Sequence, residues 1–417
     1  MSSVIRQYSL ADLSNLFKIT YGDFELDASS WNSTSLIGTV KKNNMFVGST
    51  LQFAQLQDLG GGQSAGALPS ASTATILRPA ITAKSIYSTA VIDNQSIKAA
   101  RKAGTNSGAF KELTGTAMLS LKNSFRESIA RQLVGNGTGS LGVIQAVAVN
   151  APGNYTLTIT AATFIEANWM LLDLLNIGAL GTSLFLVQTI DLTNRLITVV
   201  RQNGADVPNI GDPVYKQKSR NNELSGLKYV TDTAVGQPIY GITSGYRWQS
   251  STLAAAGQTL SVKLMRQLVQ QMQFLARNDE GPTDFILSYT AMRLFTDGED
   301  AKSIIYVDPE KAPNRQAGGK VATVSIDGRL VRLHRSPYIE ADRMYAIHKD
   351  KVEFHIRPDT SDGASPGGFL EAGDSGIFFP LHVSGTPLDS YQLFYATYGD
   401  LYINPVFTGV ITGLATA

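Results

Sequence analysis

Between Thr105 and Gly139 the apolar residues Phe110, Leu113, Ala117, Leu121, Phe125, Ile129 and Leu133 recur three or four apart. That spacing lays a single stripe along a helix. Ser107 is placed to cap its start, Glu112 lies in the favourable first turns, and Gly135, Gly137 and Gly139 supply the stop. About 28 residues span about 42 Å, far beyond the mean helix of about 11 to 12 residues. Lys111, Lys122, Arg126 and Arg131 fall off the stripe and no heptad run is present. The pattern therefore predicts a spine lying under a sheet rather than a coiled coil.

Around this helix the chain changes period several times. Residues 1–45 read as an arm: a short amphipathic helix over Ser9 to Lys18, then polar text with Phe24, Trp31 and Leu36 as isolated anchors. Leaving Trp31 and Phe24 in water is costly, which favours docking on a neighbour over a solvated tail. Residues 46–92 read as two extended limbs, MFVGSTLQFAQL and TATILRPAITAKSIYSTAVI, joined by the tip GGGQSAGALPSAS. A two-stranded hairpin of that length is marginal alone and needs a partner surface. Asp93 to Gly104 reads as a helical bridge carrying Lys98, Arg101 and Lys102.

From Leu141 to Tyr215 the pattern turns to β, with NYTLTIT alternating and Asp191 to Asn194 marking a hairpin turn, so a small barrel or sandwich is expected. Ser219 to Val230 returns the chain to the main body. Thr259 to Arg277 is a second amphipathic helix, DFILS a buried strand, and Tyr289 to Phe295 a short helix ending near Gly298. Asp327-Gly328 is the strongest hairpin signal in the chain. RMYAIH and KVEFHI read as strands, and QLFYATYGDLYINPVFTGVITG as two strands joined near Gly399-Asp400.

Composition narrows the function classes. The 417 residues are 43% hydrophobic and 17% charged, with 38 glycines, which describes a folded, loop-rich protein of two or three domains. A net charge of +1 gives no global field for nucleic acid. Without cysteine there is no disulfide, thiol chemistry or thiolate metal site. No stretch reaches signal-peptide or membrane-span length, so a soluble protein with no membrane partner is expected. Of the four histidines (His334, His348, His355, His382), no pair has metalloprotease spacing. The tip glycines are not followed by Gly-Lys-Ser/Thr, and the Gly-Asn-Gly-Thr-Gly run follows a helix rather than opening one. Two carboxylate clusters, Asp297/Glu299/Asp300 and Glu25/Asp27, have the composition for glycosidic acid–base work but read as solvated turns. Neither a catalytic residue nor a cofactor or metal is expected. An arm, a hairpin that cannot stand alone and silent chemistry describe an assembly part.

The order of these parts resembles the major capsid protein of tailed bacteriophages, the fold named after phage Hong Kong ninety-seven. The resemblance rests on SGAFKELTGTAMLSLKNSFRESIARQLVGNGTG as spine, the limbs and tip at 46–92 as extended E-loop, and the aromatic strands near the C-terminus. It covers nearly the whole chain through element order and carries no diagnostic motif. It implies an α+β phage major capsid fold. Residues 1–45 correspond to the N-terminal arm, 46–92 to the E-loop and 93–140 to the spine of a peripheral domain. Residues 141–220 correspond to a β-rich insertion, 221–385 to an axial domain and 386–417 to the last strands of the peripheral domain.

The resemblance also implies function. Copies of the chain would form hexamers and pentamers of an icosahedral shell around double-stranded DNA, held without sequence-specific binding, inside a host cytoplasm. Separate scaffolding, portal and decoration proteins are the implied partners. Contacts between copies are expected at Phe24 and Trp31 of the arm, at Phe53, Leu56, Gly61, Leu68, Ile76 and Arg78 of the hairpin, and at Lys111 and Arg126 of the spine. Residues 43–83 contain no lysine, so the Lys–Asn crosslink that some relatives form through this loop is not expected. The N-terminal text shows no obvious scaffold-and-cleavage segment. The alternatives are an encapsulin-like compartment enclosing protein cargo and, more distantly, a polysaccharide-acting enzyme; a secreted adhesin would need an export signal.

Overall fold

The computed structural model describes residues 7–8, 40–44, 46, 48–58, 75–93, 108–178, 183–245, 247–300, 322–357, 368–369, 379–383 and 386–416. Most of the N-terminal arm, with Phe24 and Trp31, lies outside them, as do the hairpin tip with Gly61 and Leu68, the 94–107 bridge and its Ser107 cap.

The spine helix runs Gly108–Val134. Leu121, Phe125, Ile129 and Leu133 are buried along it, each four residues from the next. This row presses on a seven-stranded sheet built around one 18-residue strand, Thr386–Ile403. Phe125 meets Tyr395 of that strand edge-on at 4.8 Å, a favoured aromatic geometry. Lys84–Asp93 pairs with one side of the long strand and Val352–Ile356 with the other, both antiparallel.

Two sequence expectations need correction here. The last aromatic segment is not two strands joined near Gly399-Asp400, because the long strand passes straight through that dipeptide. A Cβ on Gly399 would sit 2.1 Å from the His355 carbonyl oxygen, so the glycine serves close strand approach rather than a turn. The break falls later, at the 3-10 turn Pro405–Phe407, after which Thr408–Thr412 joins a different sheet. Likewise, the returning limb of the hairpin divides at Ala83. Ala80–Thr82 pairs with the outgoing limb, while Lys84–Asp93 belongs to the main sheet.

The second sheet has six strands in the order Ser251–Ala254, Thr408–Thr412, Met344–Ile347, Asp284–Leu287, Arg329–Arg335 and Ala322–Ile326. The hairpin at Asp327-Gly328 has positive φ at both residues, 49° and 81°, as a type I′ turn requires. Strand alternation divides the sheet's two faces. Phe285, Leu287, Met344 and Ala346 pack with Leu264, Met265, Leu268 and Met272 of helix Val262–Ala276, whereas Ile286, Tyr345 and Ile347 join the core under the spine. Ser261 caps that helix by accepting from the Leu264 N–H. Helix Tyr289–Asp300 carries the DGED carboxylates expected in a loop.

Six strands between Ser140 and Lys216 close into a barrel. Its core, including Leu157, Phe185, Val187, Ile197 and Val214, is made only of barrel residues. The polypeptide leaves the body after the spine helix and comes back beside its own departure point, where the Asn221 N–H donates to the Thr138 carbonyl at 2.9 Å.

Candidate assembly surfaces

The hairpin is held at its base by its own chain. Thr50–Gln52 pairs with Ala80–Thr82, and Gln55–Asp58 pairs with Thr75–Leu77. Phe46 and Ile81 are buried in the spine core. Phe53 is half-buried, edge-on to Tyr402 at 4.5 Å and stacked on His355 at 6.0 Å. Tyr402 Oη donates to Gln55 Oε1 at 2.7 Å, and the Ala80 N–H donates to the Tyr240 carbonyl at 2.9 Å. The expectation that the hairpin at 46–92 needs a partner surface is therefore too broad for its base. That base is anchored intramolecularly, because Phe53 finds an aromatic floor in the long strand.

Farther out the ribbon loses this support. Ile76 is 56% exposed and Arg78 is exposed. Arg126 lies half-buried on the spine helix, and Lys111 lies near that helix's start. The side chains of Leu56 and Lys111 lie outside the described residues. Of the ten positions read from sequence, Phe53, Ile76 and Arg78 thus share the described ribbon, with Phe53 turned inward and the other two outward.

Sequence reasoning missed the polar clasp that locks the spine's C-terminal end. Arg131 makes a bidentate pair with Glu223, with Nη1 donating to Oε2 at 2.9 Å and Nη2 donating to Oε1. Both residues are buried, where a planar guanidinium fork suits a carboxylate. Gln132 Oε1 accepts from the Leu224 N–H at 3.1 Å. One residue further, Asp400 of the long strand accepts from the Ser225 N–H, the Ser225 hydroxyl and the Leu401 N–H, each at 2.8 Å. Burial pushes the Asp400 pKa up to about 6 against these hydrogen bonds. Lys84 Nζ adds a bond to the Asn221 carbonyl at 3.1 Å. One segment, 221–225, thereby ties barrel, spine and sheet together. Its only trace in the sequence is the Glu223-Leu224-Ser225-Gly226 run, polar residues bracketing an apolar one where the β text ends.

The histidine–carboxylate arrangement with a hydrogen bond is built for structure. His334 Nε2 and Asp284 Oδ1 lie 2.7 Å apart, and Arg332 Nε is 3.2 Å from the same oxygen. Thr283 Oγ1 donates to Asp284 Oδ2 at 2.5 Å rather than facing His334 as a nucleophile would. Burial raises the Asp284 pKa, but the bonds from His334 and Thr283 and the Arg332 charge outweigh it and hold the carboxyl below its usual range. Asp297 and Glu299 stand two apart on helix Tyr289–Asp300. Among the described residues no group of three or more potential metal ligands converges, and no helix is long and apolar enough to cross a membrane.

A mixed helix-and-sheet body with a long spine, a projecting ribbon and a barrel insert is a phage-capsid type of fold. The solved structures give the particular likeness. A chain of the cyanophage A-1(L) capsid asymmetric unit superposes with a TM-score of 0.52 at 12% identity, covering 91% of each chain. A structure from Mycobacterium phage Adephagia gives 0.43 at 10% identity over 97% of each chain. The holo-SrpI encapsulin complex of Synechococcus elongatus gives 0.43 at 8% identity, covering 97% of this chain and 95% of the other. The assignment of fold rests on the first. No protein-family model matches the chain, and no curated protein matches it.

Proposed function

We propose that this chain is a major capsid subunit, assembling with copies of itself into hexamers and pentamers of an icosahedral shell that encloses double-stranded DNA in a virion. The observation that carries the reading is the ribbon, anchored at Phe53 yet presenting Ile76 to water, on a fold shared over 91% of the chain with a cyanophage capsid chain. In this reading residues 1–45 are the arm, 46–92 the E-loop, 93–140 the spine, 141–220 the insertion, 221–385 the axial region and 386–417 the closing strands. Ile76 and Arg78 of one copy lie against the spine surface of the next, and Phe24 and Trp31 dock the arm on another. Each contact is weak, and repetition around closed rings makes the shell strong. DNA is held by enclosure, consistent with a net charge of only +1. Scaffolding, portal and decoration proteins are separate partners, and assembly takes place in the host cytoplasm.

Negative-stain microscopy of the purified chain tests this directly. Closed shells with nuclease-protected DNA are expected from infected cells, and Ile76→Asp is expected to abolish shells while leaving a folded subunit. A monomer at high concentration overturns the reading, and a shell holding protein cargo instead of DNA redirects it to a compartment. A denaturing gel is expected to show single subunits without a crosslinked ladder.

A further inference from the structure

The hairpin rests on a histidine that the capsid reading does not use. His355 is 5% exposed, covered by the Phe53 ring on one side and bordered by Tyr402 at 6.3 Å. Neither ring nitrogen has a hydrogen-bond partner among the described residues. Among the described residues the nearest charge is Glu353, whose Oε2 lies 3.3 Å from Nε2 without hydrogen-bond geometry. That carboxylate is already engaged, since Asn43 Nδ2 donates to Oε2 at 3.1 Å and Lys41 Nζ sits 3.7 Å from Oε1.

Among the described residues, the other elements around the ring offer no better counter-charge. On the long strand Asp400 is the register partner of His355, but its carboxylate oxygens are taken by Ser225 and the Leu401 N–H. Tyr402 donates its hydroxyl to Gln55, and Arg357 lies over the Tyr398 ring at 5.5 Å. Lys84, beside Asp400, donates to the Asn221 carbonyl. The strand Lys41–Asn43 brings only cations and an amide, and the hairpin limb covers the imidazole with the uncharged Phe53 ring.

We infer that His355 is an acid-sensitive latch: it seats the hairpin base while neutral, and its protonation releases Phe53 and frees the ribbon. Burial lowers the imidazole pKa against the opposing pull of Glu353. A group that binds protons less well in the closed state than in the open one disfavours closure as pH falls below the ordinary histidine value of about 6.5. The latch is therefore fully closed above that value and weakens below it. Its consequence for shell formation rests on the proposed capsid role, because the freed ribbon is the one that would seat on a neighbouring copy.

Hydrogen exchange on the full chain at pH 7.5 and 5.5, normalised for intrinsic rates, tests the latch. Amide protection at Thr50–Gln52 and Ala80–Thr82 is expected to fall about tenfold at the lower pH, the limit set by one proton and an open-state value near 6.5. In His355→Phe, which keeps an aromatic ring without titration, protection is expected to stay constant. Asp400→Asn separates the neighbouring carboxylate and should keep the wild-type fall. Equal behaviour of wild type and His355→Phe overturns the inference. Should His355→Phe fail to fold, proton NMR titration of His355 in wild type and Phe53→Ala decides: uncovering the ring should raise its pKa toward the ordinary value, and identical titrations sink the latch. Shells that form while the ribbon ignores pH would refute only the latch, whereas a pH-dependent ribbon on a permanent monomer would refute only the capsid role.

Discussion

Asp400 shows how one side chain ties fold to pH. Its carboxylate is buried and meets three donors, and burial still holds its pKa at about 6, above the ordinary value of 3.8. A raised folded-state value means the native chain keeps a proton that the unfolded chain releases. The associated stability is complete below about pH 4 and disappears as pH rises through about 6. A shift of this size corresponds to about 3 kcal/mol. Urea unfolding of wild type and Asp400→Asn from pH 4 to pH 7.5 checks the sign: the wild-type stability should decline relative to the variant by up to that amount as pH rises. A parallel pair of profiles would show that the hydrogen bonds outweigh burial. This residue's role was not legible locally, because Gly399-Asp400 has the composition of a turn and only the neighbouring His355 backbone reveals a strand.

At the scale of elements, the helix and the hairpin turn were legible because each follows from local rules. The four-residue spacing of Leu121, Phe125, Ile129 and Leu133 and the Asp327-Gly328 pair need no distant information. The clasp at the end of the spine was not legible, since Arg131 and Glu223 are 92 positions apart with the whole barrel between them. Removing one partner leaves the other charge buried and unpaired, which typically costs about 3–5 kcal/mol. Glu223→Ala should approach that loss in chemical denaturation, while Arg131→Met combined with Glu223→Leu should recover most of it. Gly226 provides a steric counterpart, because a Cβ there would meet the carbonyl oxygens of Gln132, Gly135 and Leu133 at 2.4, 2.6 and 2.6 Å. Gly226→Ala is expected to destabilise by more than about 2 kcal/mol, whereas Gly245→Ala, with nothing within 4 Å, should change stability by less than about 1 kcal/mol.

At the scale of the whole molecule, sequence segments and structural bodies part company. Val352–Ile356 lies in the long-strand sheet, whereas Thr408–Thr412 lies in the six-stranded one, so both sheets draw on distant stretches of chain. Contiguous text cannot reveal such an exchange, because pairing partners are chosen by the fold and not by adjacency. The barrel is the opposite case. All six of its strands fall within 140–216, its core excludes every residue of the body, and its two ends meet at Thr138 and Asn221. Full burial of each large apolar side chain stabilises by about 1.5–3 kcal/mol, and closure leaves no exposed sheet edge. Those conditions suffice for a domain of its size to fold without the rest. Residues 138–222 expressed alone should therefore give a dispersed amide spectrum and a cooperative thermal transition. Joining 138 directly to 222 should leave the spine, both sheets and the ribbon intact. A collapsed fragment without dispersion would mean that the clasp to Arg131 and Asp400 organises the barrel, rather than simply fastening a finished domain to the body.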